Sequence, residues 1–225
     1  MPTLFSYCIP YDNGSAPNPF WGLCTLTICK PVIRRVAKVG DWIVATGSAK
    51  HGFSAKLVYA MEVTEKLTLA EYDEYCKAKL PEKLPDHQSE DYRRLAGDAI
   101  YDFSEPVPQI RKGVHDESNR QRDLGGQYAL LSSHFYYFGD NPIDIPRHLS
   151  GIIKQSQGHK SQSNGHHFNE FVNWITSIGY AKNIIHSEPK DRSFFTSEKG
   201  YLRRCAQCDK EYDDIDEILT GLDQK

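Results

Sequence analysis

The stretch Gly40-Asp41-Trp42-Ile43-Val44-Ala45-Thr46-Gly47 is a run of apolar and β-branched residues with a glycine at each end, and it predicts a strand. Leu57 to Val63 has the same character and supplies its antiparallel neighbour. Thr68-Leu69-Ala70-Glu71 then fits a capping box, in which the threonine hydroxyl accepts a backbone N–H and the glutamate reaches back. A helix follows through Tyr75 or Lys79, until Pro81 and Pro85 stop it. Upstream, Leu4 to Tyr11 reads as an opening strand closed by the turn Asp12-Asn13-Gly14-Ser15. Pro17 and Pro19 force a rigid loop, Cys24 to Cys29 resumes a strand pattern, and Pro31 begins a short helix or turn carrying Arg34 and Arg35.

Residues 81–127 are polar and proline-spaced, with one short apolar run at Ala99 to Phe103, and predict loop packed on the sheet. Tyr128 to Ser132, Phe135 to Phe138 and Ile143 to Ile145 return to β character. Ser156 to His167 reads as a mobile loop. Phe168, Phe171, Val172, Ile175 and Ile178 have the three-and-four spacing of an amphipathic helix that Gly179 can end. Asp213 to Leu222 can add a short surface helix. The fold class is α+β, with a mixed or antiparallel sheet and peripheral helices.

A chain of 225 residues, 39% hydrophobic, is long enough for one domain with a real core and a small appendage. We place the main domain at residues 1–180 and a C-terminal extension at 181–225. No stretch approaches the roughly 20 apolar residues that span a bilayer, and the first residues do not read as a signal peptide, so the expected location is cytoplasmic. The six cysteines are then thiols or metal ligands. Cys205-x-x-Cys208 has the spacing of half a zinc site, but the other two ligands a tetrahedral site needs lie far away in sequence.

A net charge of −3 argues against a protein that coats nucleic acid through phosphate contacts alone. The distribution is uneven. Lys30 to Lys56 holds six basic residues against Asp41, whereas Asp209 to Asp223 holds seven acids against Lys210. The basic run can attract phosphate, or it can be an ordinary solvated face.

Several groups can carry chemistry. Tyr11, Asp12, Asn18 and Phe20 surround the proline-stiffened loop, where a planar amide could read a base edge; the same residues could equally plug the sheet end. In Ser133-His134-Phe135-Tyr136-Tyr137-Phe138, alternate side chains face opposite ways, so an aromatic face could stack on a base or be covered on both sides. His115 and His159 are candidate general bases, the latter beside Lys160, with a solvated loop as the plain alternative for His159.

The Gly40-Asp41-Trp42-Ile43 opening resembles β-barrel domains of the PUA, EVE and ASCH type, which implies a barrel-like sheet with a base-holding pocket at its side. More broadly, Tyr11-Asp12, Pro17 to Phe20, Cys24-Thr25-Leu26, Cys29-Lys30-Pro31, Arg34, Gly40 to Ile43 and Gly47-Ser48-Ala49 resemble the family called nucleotide modification associated domain, type two. Gly97 to Tyr101, His115, Asp123-Leu124, Phe135 to Gly139, Ile145-Pro146 and Gly158-His159-Lys160 continue the likeness as far as Gly179. The resemblance implies an accessory component of bacterial and phage systems that modify bases in DNA.

Three readings follow. The first is recognition or processing of a nucleotide or modified base, with Asn18, Lys30, Ser48, Tyr101, Tyr136 and Tyr137 near the pocket, Lys30 or Arg34 on phosphate, and Asp12 or Asp98 as acid/base groups. The second is a hydrolase or transferase in which Asp98, His115 and His159 converge. The third is a non-catalytic module whose basic half and acidic tail bind a partner protein. No cofactor and no membrane partner is assigned.

Overall fold

Strand β1 (Leu4–Ile9) alternates in the way that a strand covered on both faces requires: Phe5, Tyr7 and Ile9 enter one core and Leu4 another. The structure, a computed structural model, describes residues 1–49, 52–154 and 158–196. After β1 come β2 (Cys24–Leu26), α1 (Pro31–Val36), β3 (Trp42–Gly47), β4 (Lys56–Glu62), β5 (Glu65–Thr68) and α2 (Leu69–Lys79). The middle of the chain adds the short α3 (Tyr92–Leu95), the ribbon of β6 (Tyr101–Asp102) and β7 (Gln109–Ile110), and α4 (Arg120–Gly125). The last third holds β8 (Tyr128–Ser132), β9 (Phe135–Tyr137), β10 (Ile143–Asp144), β11 (His159–Lys160), α5 (Phe168–Ser177), β12 (Ile184–Ile185) and α6 (Ser193–Thr196).

The main sheet runs β11-β1-β3-β4-β9-β12, with β10 also paired to β4. It is mixed. β1 and β3 are parallel from Leu4 opposite Trp42 to Ile9 opposite Gly47, β9 and β12 are parallel, and the other pairs are antiparallel. A parallel pair needs a crossover, and the segment carrying α1 between β1 and β3 provides it. On the way, β2 leaves to join β8 and β5 in a separate antiparallel sheet. This departure is why the expected barrel is corrected: among the described residues the main sheet is open, ending in β11 on one side and β12 on the other.

Each face of the main sheet is covered. Phe5, Tyr7, Ile43, Tyr59, Met61 and Tyr137 pack with Cys24, Leu26, Ile33 and Leu130 from the second sheet and α1. On the opposite face Trp42, Val44, Ala60 and Tyr136 pack with Leu149, Ile152, Phe171 and Ile175. The amphipathic helix forms as its periodicity predicts, and Gly179, at φ +80°, takes the left-handed position just past it. The capping box at Thr68 and Glu71 is present.

The segment predicted as a loop before α5 is more ordered than its composition implies. Over the described part, His159 and Lys160 pair with Tyr7 and Ser6, and residues 162–167 form a 3₁₀ helix. Beyond residue 180, β12 pairs with β9 and Asp191 N donates to Asp12 O at 2.7 Å. Cys205, Cys208 and the acidic tail lie outside the described residues. No helix among the described residues is long and apolar enough to cross a membrane.

The Gly-Asp pair has a bracing role. Asp41 is buried; Oδ1 accepts from Thr3 N at 2.7 Å and Oδ2 from Lys38 N at 2.8 Å, tying the starts of β1 and β3 together. Asp41→Ala would strand both donors and should lower the unfolding free energy in urea by roughly 2–3 kcal/mol. Unchanged stability in that titration would remove the bracing role.

Candidate active site

The second sheet delivers the chain into a strained turn. After β2, Cys29 at φ +60° and Lys30 at φ +40° both occupy the left-handed region, and Pro31 then opens α1. Neither residue is glycine, so the two together cost about 2–4 kcal/mol that neighbouring contacts must offset. Arg34, fully buried, supplies many of these contacts. Its Nε donates to Cys29 O at 2.8 Å, one terminal nitrogen to Tyr128 O at 2.9 Å, and the other to Asp123 O at 2.6 Å. The guanidinium fits only because residue 126 is glycine: a Cβ there would lie 2.3 Å from Arg34 Cζ.

Within this frame three side chains form a line. Asp123 Oδ2 is 2.5 Å from His115 Nδ1, and His115 Nε2 is 3.7 Å from Cys29 Sγ. Asp123 Oδ1 also accepts from Cys29 N at 3.3 Å, and Tyr101 donates its hydroxyl to Oδ2 at 3.2 Å. His115 and Asp123 are buried, whereas Cys29 is partly exposed. Burial pushes the Asp123 carboxyl up, but His115, the Arg34 charge and the Cys29 N–H outweigh it and hold the group below the usual carboxylate range. Lys30 lies beside the line, its ammonium 5.1 Å from the centroid of the Tyr7 ring. A carboxylate that fixes an imidazole tautomer, with the other ring nitrogen facing a reactive group, is a proton-transfer device.

His115, Tyr101, Arg34 and Lys30 therefore share one neighbourhood, although Arg34 is spent on main-chain carbonyls rather than turned to phosphate. Cys29 and Asp123 were not singled out from the residues alone. The readable signal was a cysteine placed between a strand and a proline-initiated helix, the layout of a nucleophile held on a sharp strand-to-helix turn.

Asp98 and Asn18 belong to another buried network. Asp98 accepts from Tyr72 OH at 2.8 Å, Thr25 Oγ1 at 2.6 Å and Thr27 Oγ1 at 3.0 Å. Lys83, also fully buried, donates to Asn18 Oδ1 at 2.6 Å and to the carbonyls of Asn18 and Leu23. The Asn18 amide donates in turn to Ala96 O at 3.0 Å, so the expected base reader is committed to the protein. Phe20 is core, edge-on to Tyr92 with ring centroids 5.8 Å apart, while Tyr11 is exposed.

His159 sits in β11 opposite Tyr7, its ring 6.0 Å from Phe5. Asp98 bonds Tyr72, Thr25 and Thr27 and His115 faces Asp123 and Cys29, whereas His159 stands on the edge strand β11 of the main sheet. Ser48 follows β3 and bonds the Cys8 thiol. Tyr136 and Tyr137 face opposite cores, so they do not make one stacking platform. The basic run is also divided: Lys56 pairs with Asp144 at 3.2 Å and Arg35 donates to Gly125 O.

Asp12 meets Tyr137. The tyrosine hydroxyl lies 2.7 and 2.6 Å from the two carboxyl oxygens, and Gly14 N donates to Oδ1 at 3.3 Å. Burial pushes Asp12 up to about 7; the Tyr137 and Gly14 bonds oppose this, and the Asp191 and Asp140 charges add to it.

A family model described as nucleotide modification associated domain 2 matches residues 1–196. No curated protein and no solved structure matches the chain.

Because the folded state holds the Asp12 proton more tightly than the unfolded chain does, the stability from this carboxyl is complete below about pH 4 and is lost as pH rises through about 7. The loss is on the order of 4 kcal/mol by the linkage relation. Urea unfolding between pH 4 and 8.5 should show this decline in the native chain and a flatter profile in Asp12→Asn. Parallel profiles would contradict the assignment.

Proposed function

Since the chain belongs to the nucleotide modification associated domain 2 family, we propose that it recognises and processes a nucleotide or modified base, acting around Cys29, His115 and Asp123. What carries the reading is the buried His115–Asp123 pair at 2.5 Å, with the second imidazole nitrogen turned toward a partly exposed thiol. Asp123, kept ionised, holds the proton on Nδ1 and leaves Nε2 to accept one. Lys30, next to this position in sequence and stacked on Tyr7, is the cation we assign to the phosphate of the ligand. Asn18 and Asp98 are assigned to the scaffold.

Titration of the full chain with nucleotides, plain DNA and DNA carrying modified bases tests recognition. We expect binding of at least one of these ligands, weakened about tenfold by Lys30→Gln if one phosphate contact is lost. Turnover of that ligand should fall roughly a hundredfold or more in His115→Ala, with its binding retained. Failure to bind any nucleotide or DNA, or turnover indifferent to His115, would end the proposal.

A further inference from the structure

The proton-handling pair faces a thiol rather than an open space, and this narrows the chemistry. We propose that Cys29 is a covalent nucleophile and that the substrates are nucleotides or bases bearing an acyl substituent through an amide or ester bond. The inference rests on the reading just given and deepens it.

Four observations carry it. Cys29 Sγ lies 3.7 Å from His115 Nε2, the reach expected of a thiol and its base before substrate draws them together. The line is ordered for relay: Asp123 touches the far nitrogen of the ring, so its carboxylate orients the imidazole instead of competing for the sulfur. The turn that presents the thiol is in the left-handed region and is pinned from behind by Arg34, which bonds the carbonyl of the nucleophile and the carbonyl of the orienting residue with one guanidinium. Finally, Cys29 keeps partial exposure, whereas His115 and Asp123 are buried, so a reagent can reach sulfur while the pair behind it stays dry.

The acyl assignment follows from the second job this geometry gives to His115. Departing amines and alcohols are poor leaving groups unless protonated, and an imidazole that has just taken the thiol proton stands where it can return it. The steps balance without a redox partner. Cys29 Sγ passes its proton to His115 Nε2 as the S–C bond forms at the acyl carbon. The C–N or C–O bond then breaks, and His115 gives the proton to the departing amine or alcohol of the base or sugar. This leaves S-acyl-Cys29. Water adds to the thioester carbon, losing a proton to His115, and the C–S bond breaks as sulfur recovers that proton, releasing a carboxylic acid. Asp123 stays ionised throughout.

Two substrate-independent probes test this on the full chain. With iodoacetamide at pH 7 and peptide mapping, Cys29 should be alkylated at least tenfold faster than Cys8, and His115→Ala should remove that advantage. With 4-nitrophenyl acetate, nitrophenolate should appear in a burst of about one equivalent per chain, with the acetyl group mapped to Cys29. Cys29→Ser, which preserves size, should abolish the burst. Reactivity of Cys29 no greater than that of Cys8, or acetylation elsewhere only, would overturn the inference. A Cys29→Ser chain that still turned over its nucleotide ligand in a His115-dependent way would also overturn it while leaving the broader reading in place; indifference to both residues would remove the two together.

Discussion

One buried guanidinium holds the functional region together. Arg34 donates to three main-chain carbonyls, those of Cys29, Asp123 and Tyr128, from three separate parts of the chain. A charge taken out of water is stable only when its donors are met, and here meeting them fixes the strained turn, the orienting carboxylate and the edge of β8 in one arrangement. Lysine could not do this, because its single ammonium lacks the planar fork that addresses several acceptors in one plane. The close approach of Gly126 belongs to the same constraint.

The two sheets divide the work. The main sheet, covered on both faces, supplies the stable frame and places Tyr7 beneath Lys30. The second sheet carries the chain through β2 into the Cys29 turn and brings β8 against α1. The segment before β8 contributes His115 and Asp123, so long connections bring the reacting groups to a rigid support, as functional loops on packed scaffolds generally do. The Asp98–Lys83–Asn18 network fastens that segment to the proline-stiffened loop, which explains why polar residues are enclosed there.

What the sequence made legible was local. Strand 42–47, the capping box at Thr68, the proline-initiated α1 and the periodic α5 all follow from neighbouring residues, and the structure contains each of them. Long-range pairing was hidden. Nothing near Gly40-Asp41 specifies that β3 lies parallel to β1, or that β2 and β8 leave to form another sheet, and the barrel implied by the PUA-type resemblance rested on that short stretch alone. The fate of polar residues was hidden for the same reason. Asn18 meets Lys83, 65 positions away, and Arg34 meets Asp123, 89 positions away. His115 was visible as a histidine that could act as a base; its carboxylate and the thiol across from it emerge only from the fold.

Proton transfer from Cys29 depends on which nitrogen of His115 carries the proton. Nitrogen-resolved NMR of the histidine-labelled full chain across neutral pH reads this directly. The expected spectrum shows an Nδ1 proton held toward Asp123, with Nε2 either bare or bearing the proton taken from Cys29. A neutral ring protonated only at Nε2 would contradict this, because Nε2 could then not take the thiol proton and Nδ1 would have no proton to give the carboxylate behind it.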